Sequence, residues 1–146
     1  QNFFEGNYTF SIVLNDNYNE TYSKNLNKLE NYSNYQISFE NLKNLNKISI
    51  VHNFFSGSKI SLKNIVFSSN KFEIINMESL NYDSFSSYIL DQSEDEVVFV
   101  STDDSDQIIN FYLKKEYKDV EKISFDLKLK KLPLMNNLVC LEHNEN

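Results

Sequence analysis

Hydrophobic and polar residues alternate along most of the chain, as is typical of strands that bury one face. The clearest case is residues 121–130, where Ile123, Phe125, Leu127 and Leu129 alternate with polar or charged residues. Seven further segments have the same character: 8–14, 35–40, 47–52, 58–67, 71–76, 96–101 and 107–113. This pattern predicts eight or nine short strands separated by Asn-, Ser- and Asp-rich turns.

The connections between these segments are too short to hold crossover helices, which excludes a mainly parallel sheet. Two longer connections, 15–34 and 77–91, are predicted to be irregular. We therefore expect an all-β fold, an antiparallel β-sandwich or jelly roll. The sandwich is expected to span residues 1–133, and residues 134–146 are expected to form a tail or linker because the alternation stops there.

The composition fits one domain and argues against some partners. The chain has 146 residues, and its 40 % hydrophobic content is enough to build one core. The net charge is −7 and there is no arginine. Nucleic acid is therefore not expected as a partner, because phosphate binding needs clustered cationic side chains. No apolar run is long enough for a membrane span.

Cys140 is the only cysteine, so an internal disulfide is excluded. Either the compartment is reducing or the fold needs no cross-link. We expect a cytoplasmic location near the membrane, with the cell surface or secretion as the alternative. Because the chain starts at Gln1, we also expect it to be part of a longer chain and to contact a neighbouring domain.

Three stretches carry a resemblance to a known family. They are GNYTFSIVLNDNYNETYS, which contains Glu20, then NYQISFENLKNLNKISIVHNFFSGSKISLKNIVF, and finally FVSTDDSDQII with KISFDLKLKKL. Together they resemble the β-sandwich accessory domain found beside glycosyltransferase domains in bacterial enzymes of surface-polysaccharide synthesis. That domain is similar in shape to carbohydrate-binding modules. The resemblance implies a non-catalytic module that recognises sugar or acts as a spacer.

The acidic loop after residue 101 is a candidate metal site. Asp103, Asp104 and Asp106 offer the oxygen ligands that calcium prefers. The stretch lacks the glycine and the glutamate that an EF-hand loop needs at its sixth and twelfth positions. A solvated turn is the simpler interpretation, since Asp and Ser side chains hydrogen-bond to nearby backbone amides. We expect no cofactor, with calcium on this loop as the alternative.

The sequence offers few groups of side chains that could catalyse a reaction. Two catalytic carboxylates must face each other across a cleft, and nothing in the sequence places a partner opposite the acidic loop. His52, Cys140 and His143 are the only candidates for zinc or nucleophilic chemistry. His52 alternates in step with Ile48 and Ile50 in the same strand, so it is predicted to point inward as they do. We expect it to be hydrogen-bonded and partly buried there. We therefore expect no catalytic residues.

Tyrosines in the first long connection form the best candidate binding site. A phenol ring presents a flat apolar face with a hydroxyl at its rim, which suits the faces and hydroxyls of sugars. Neighbouring polar side chains complete the hydrogen bonds. The predicted carbohydrate-binding residues are Tyr18, Asn19, Glu20, Tyr22, Tyr32 and Tyr35. The alternative is that these rings fasten long loops to the sandwich.

Lysines concentrate near the end of the chain, at positions 114, 115, 118, 122, 128, 130 and 131. They could bind an anionic glycan or membrane headgroups. The favoured interpretation is that lysines on an outer strand discourage edge-to-edge pairing of sheets. The sequence thus predicts a non-catalytic carbohydrate-binding module, and the alternative is a structural β-sandwich that mediates contacts between domains or subunits.

Overall fold

The computed structural model describes residues 8–26, 30–40, 42–54, 56–68, 72–74, 80–85, 87–102 and 107–131. The fold is the predicted antiparallel β-sandwich, and each of the eight segments that alternate in sequence contains a strand. The strands within the described residues number eleven, so the expected eight or nine was too low. The additional strands lie in the two connections that were expected to be irregular.

Two sheets form the sandwich. Sheet A contains β1 (Thr9–Leu14), β2 (Thr21–Asn25), β4 (Asn44–His52), β7 (Asn81–Phe85) and β10 (Gln107–Lys118). Sheet B contains β3 (Ser33–Ser38), β5 (Ser58–Ser68), β6 (Phe72–Ile74), β8 (Ser87–Gln92), β9 (Glu96–Ser101) and β11 (Lys122–Lys131). The strand order is β2-β1-β4-β10-β7 in sheet A and β3-β11-β5-β9-β8 in sheet B, with β6 paired to β5.

The chain crosses repeatedly between the sheets. Strands β3, β4 and β5 lie in sheets B, A and B in turn, and β9, β10 and β11 repeat this pattern. Such crossings are how a jelly roll is wound from antiparallel strands. They bring strands that are distant in sequence into the middle of each sheet, so that β4 lies between β1 and β10, and β11 lies between β3 and β5.

The strands missed in the sequence lie at sheet edges. In β2, Tyr22 and Lys24 are half-buried while Thr21, Ser23 and Asn25 are exposed. Both faces of this strand are therefore polar apart from the Tyr22 ring. In β8 nearly every side chain is exposed. An edge strand buries little surface, and the hydrophobic period that marks a strand in sequence is correspondingly faint.

Aromatic rings join the two sheets at both ends of the core. The Phe10 ring of β1 lies 5.0 Å from Tyr35 of β3 and 6.1 Å from Phe125 of β11, measured between ring centroids. At the other end, the stacked rings of Phe99 in β9 and Phe111 in β10 have centroids 6.1 Å apart. Since each of these rings points inward, the residues on either side of it in its strand point outward.

Along β11 the alternation holds at every position for which burial is described. Ile123, Phe125, Leu127 and Leu129 are buried, and the residues between them point outward. Nowhere in the described ranges is there a helix long and apolar enough to cross a membrane.

We expect Leu127→Ala to lower the free energy of unfolding by about 3 kcal/mol, because it leaves a cavity between the sheets. Leu127 is fully buried. Val51→Ala is the matched control, because it shortens an aliphatic side chain on the outward side of β4. It should lower the free energy of unfolding by less than about 1 kcal/mol. Urea titration measures both. Equal losses in the two variants would contradict the assignment of inner and outer faces.

Candidate functional site

The predicted tyrosine site is divided between the two sheets. Tyr18 lies in the turn between β1 and β2, and Tyr22 lies on β2 at the edge of sheet A. Tyr32 precedes β3 and Tyr35 lies within it, at the edge of sheet B. The four rings therefore do not form one stacking surface, although each belongs to a described part of the chain.

The turn between β1 and β2 presents Tyr18 to solvent. Asn15 and Asp16 have φ angles of 52° and 61°, a left-handed conformation that Asn and Asp tolerate better than most residues. The Asn17 amide donates to the Leu14 carbonyl at 2.9 Å, and the Asn19 amide donates to Oδ1 of Asn17 at 3.3 Å. Tyr18 is 50 % exposed at the tip of this turn.

Tyr22 fastens the same turn to the core. Its ring packs against Phe39 with centroids 6.0 Å apart, and its hydroxyl donates to Oε1 of Glu20 at 2.9 Å. Burial, together with the Glu20 carboxylate, raises the pKa of the Tyr22 phenol to about 12. Glu20 lies exposed in the same turn as Tyr18. The Tyr22 ring, in contrast, mainly packs against the core.

Tyr35 does not belong to a binding surface, which corrects its predicted role. It is only 3 % exposed and lies between Phe10 and Phe125 in the core. Its neighbours Asn34 and Gln36 point outward instead. Tyr35 alternates in step with the buried residues Ile37 and Phe39, so the pattern of its own strand was the signal that it faces the core.

Tyr32 lies on the outer surface of sheet B, where its ring already has close neighbours. Its hydroxyl donates to the carboxylate of Glu96 on β9. The ammonium groups of Lys63 and Lys128 lie 4.0 Å and 4.7 Å from its ring centroid. Burial and the Glu96 carboxylate raise the pKa of Tyr32 above its usual range. This ring is a cation-binding contact rather than an open stacking face.

The acidic residues predicted as a calcium loop, Asp103, Asp104 and Asp106, lie outside the described residues, as do Cys140 and His143. Among the residues that the structure does describe, no group of three His, Cys, Asp or Glu side chains could hold a metal ion. The calcium alternative therefore stays a prediction.

His52 points inward as expected but is more deeply buried. Only 2 % of it is exposed, and its ring stacks on Phe54 with centroids 4.5 Å apart. Nδ1 accepts a hydrogen bond from the Phe54 amide at 3.2 Å, which places the proton of the neutral ring on Nε2. Among the residues that the structure describes, Nε2 has no hydrogen-bond partner, so the predicted hydrogen bonding of this histidine is seen at Nδ1 alone. Burial lowers the pKa of His52 to about 4.

A polar surface that the sequence did not suggest crosses the outer face of sheet A. Ser49, which is fully buried, donates to Oδ1 of Asn110 at 2.6 Å, and Nδ2 of Asn110 donates to Oδ1 of Asp83 at 2.7 Å. The Tyr112 hydroxyl donates to the other oxygen of Asp83 at 2.8 Å. These contacts connect β4, β10 and β7 across three neighbouring strands.

The same surface continues to the turn between β1 and β2. The ammonium group of Lys47 lies 5.1 Å from the ring centroid of Tyr112 and donates to Oδ1 of Asp16 at 2.6 Å. We call this connected set the Tyr112 network. Its members are Asp16, Lys47, Ser49, Asp83, Asn110 and Tyr112.

Hydrogen bonds in the Tyr112 network stabilise its charged groups. The amide of Asn110 and the hydroxyl of Tyr112 lower the pKa of Asp83, while the Asp83 carboxylate raises the pKa of Tyr112. The Asp16 carboxylate raises the pKa of Lys47. Around neutral pH the surface therefore carries two carboxylates and one ammonium group around a neutral phenol ring.

Sequence reasoning missed this network because its members come from three strands and a turn. Lys47 pairs with Tyr112, and Asn110 pairs with Ser49 and Asp83, but only the strand register brings them together. A partial signal was present in the sequence, since Ser49 and Asn110 are polar residues in strongly apolar strands.

Comparison of the chain with family models, with curated proteins and with solved structures found no match in any of the three. The site must therefore be interpreted from its own geometry.

We expect acid to destabilise the protein partly through His52. Its pKa is about 4 when folded and 6.5 when exposed, so the unfolded chain binds a proton first as the pH falls. The contribution of neutral His52 to the free energy of unfolding is fully present above pH 6.5. It is lost as the pH falls toward 4, by about 3 kcal/mol in all.

Urea titrations of the wild type and His52→Asn at pH 7 and pH 4 measure this effect. The carboxylates titrate in both proteins, so their effect cancels in the difference. The asparagine side chain offers an acceptor for the Phe54 amide but no titrating ring. If both proteins lose the same stability on acidification, burial of His52 does not contribute to acid sensitivity.

Proposed function

We propose that this domain is a non-catalytic carbohydrate-binding module and that the sugar binds on the outer face of sheet A. The observation that supports the proposal is the Tyr112 network, in which one aromatic ring is surrounded by fixed carboxylate, amide and ammonium groups. Sugar sites in proteins combine an apolar face with a few well-placed polar groups, and this surface offers both.

Asp83 keeps capacity for a ligand despite its two hydrogen bonds. Each carboxylate oxygen can accept about two hydrogen bonds, and each oxygen of Asp83 accepts one from the network. One acceptor site per oxygen is left for the hydroxyls of a sugar. Since Asn110 and Tyr112 hold the carboxylate in place, little side-chain entropy is lost when the sugar binds.

The predicted turn residues adjoin this surface. The ion pair between Lys47 and Asp16 joins the network to the turn that carries Tyr18 and Glu20. Tyr18 and Glu20 would therefore contact a ligand that extends beyond the edge of sheet A, as the sequence predicted for them, with Asn19 in the same turn. Association with a glycosyltransferase domain stays a prediction, because it depends on the sequence resemblance alone.

The edge of sheet B favours a second candidate function, a structural module that mediates subunit contacts. Strand β8 exposes three consecutive apolar residues, with Tyr88 at 51 %, Ile89 at 37 % and Leu90 at 53 %. An exposed apolar edge strand can pair with a strand of another chain. This function uses a different part of the domain from the Tyr112 network, so mutations distinguish the two.

We expect Tyr112→Ala to weaken binding to the glycans that the wild type selects on an array by about tenfold, because the sugar loses its aromatic contact. Tyr112→Phe keeps the ring and should retain most of the affinity. Tyr88→Ala, which removes an exposed tyrosine from the other sheet, is the matched control. Calorimetric titration with the selected glycan measures all four proteins.

Wild-type affinity in Tyr112→Ala would refute the assigned surface, and an array without binding would refute the carbohydrate proposal. The subunit-contact candidate makes its own prediction in sedimentation experiments. It requires wild-type protein to associate as its concentration rises, and Leu90→Lys to stay monomeric because the charge cannot be buried in a strand pair. A wild type that stays monomeric at high concentration would rule it out.

A further inference from the structure

Four lysines form a stripe on the outer surface of sheet B. Lys59 of β5 is the direct strand partner of Lys130 on β11, and Lys63 is the partner of Asp126. Because alternate residues of a strand share a face, Lys128 lies on the same face as Asp126 and Lys130 and between them. The lysine stripe, defined as Lys59, Lys63, Lys128 and Lys130, extends over about 13 Å along the strands, four residues at about 3.3 Å each.

Strands β11 and β5 lie in the middle of sheet B, but their lysines are not all paired on both sides. The ladder between β11 and β3 ends at the pair of Leu127 and Ser33, so Lys128 and Lys130 lie beyond β3. Protection of an edge can account for lysines at such positions. Lys59 and Lys63 of β5 pair with both β11 and β9, so edge protection does not account for these two.

Carboxylates lie beside one end of the stripe only, because Lys63 is the strand partner of Asp126 on β11 and of Glu96 on β9, whereas Lys59 is the partner of Lys130 and Val100. Oδ1 of Asp126 accepts from Asn34 at 2.9 Å and Oδ2 accepts from Asn64 at 2.8 Å. Glu96 accepts from the Tyr32 hydroxyl. Both carboxylates are thus bound to neutral donors, and within the described ranges no ion pair joins a lysine of the stripe to a carboxylate.

The stripe also contains a like-charge pair. Lys59 and Lys130 face each other directly across neighbouring strands, an arrangement that destabilises a sheet. Lys63 and Lys128 are both held against the single ring of Tyr32. The chain has 21 acidic residues and 14 basic ones, so acidic side chains to pair with these lysines are plentiful. An external anion bound between Lys59 and Lys130 would relieve their repulsion.

We propose that the lysine stripe binds an acidic polysaccharide. Such a chain carries negative groups at intervals with hydroxyls between them, and the surface matches both features. The ammonium groups would contact the negative groups, while the neutral side chains beside the stripe would contact hydroxyls. Those side chains are Asn34, Gln36, Asn64 and Ser124.

Two other polyanions fit this surface less well. A duplex nucleic acid carries about one charge per 1.7 Å, which is a denser row of charge than four ammonium groups over about 13 Å can match. An anionic membrane would meet the carboxylates of Asp126 and Glu96 together with the stripe, and these carboxylates would oppose its approach. Between its charged groups, a polysaccharide presents hydroxyls to these acceptors instead.

This site is independent of the Tyr112 network, because the outer surfaces of sheets A and B lie on opposite sides of the sandwich. A substitution in one surface should leave the other intact. Failure of the lysine-stripe proposal therefore leaves the carbohydrate proposal for sheet A untouched, and the reverse also holds.

Calorimetric titration of the whole chain with dextran sulfate and polygalacturonate at low salt tests the proposal. Neutral dextran is the uncharged control, and phosphatidylserine vesicles and single-stranded DNA are the competing polyanions. The test variant is Lys59→Ser with Lys130→Ser. Its control is Lys114→Ser with Lys118→Ser, which removes the same charge from two exposed lysines of β10.

We expect at least one acidic polysaccharide to bind the wild type, and the test variant to bind it about thirtyfold more weakly. That is the Coulomb attraction of two ammonium groups, each about 4 Å from a negative group in water. The control variant should keep most of the affinity. The test variant should also melt at a higher temperature at low salt, because its like-charge pair is gone.

Equal binding by the test and control variants would overturn the assignment to the stripe. Tighter binding of DNA or vesicles than of either acidic polysaccharide would overturn the ligand class. Failure of both polysaccharides to bind at low salt would overturn the proposal as a whole. The melting temperature separates these outcomes from misfolding, since a variant that melts at or above the wild-type temperature is folded.

Discussion

Contact between the aromatic rings of the two sheets is the interaction on which the rest of the structure depends. Phe10 packs against Tyr35 and Phe125 at one end, and Phe99 stacks on Phe111 at the other. The chain has no tryptophan and a single cysteine, so burial of these rings holds the sheets together without an internal disulfide. Because strand residues alternate, each inward ring also obliges its neighbours to point outward.

The outward residues of the interior strands differ in kind between the two sheets. On sheet A, Lys47 is paired with Asp16, and Asp83 is bound by two neutral donors, so charge and hydrogen bonding are matched. On sheet B, the like-charged Lys59 and Lys130 face each other while nearby acids bind amides and a phenol. These differences are the basis for proposing a ligand rich in hydroxyls for the first surface and one that carries negative charge for the second.

The edges of the sandwich contrast with its faces. Strand β2 presents polar side chains at its edge, and the turn before it is held by its own hydrogen bonds. Strand β8 instead exposes Tyr88, Ile89 and Leu90. The two proposed functions, ligand binding and subunit contact, would therefore use different elements of one scaffold.

The sequence by itself determined the fold class, eight of the strands and the inward residues, because burial of one strand face leaves a period of two in the chain. It also marked the turn that carries Tyr18 and Glu20. Only the tertiary structure chose Phe10 and Phe125 as the neighbours of Tyr35, placed Tyr32 on the sheet opposite Tyr22 and assembled the Tyr112 network. It likewise placed Lys130 opposite Lys59 on interior strands. The physical reason is that alternation specifies the face of a residue, whereas strand order and register decide its neighbours.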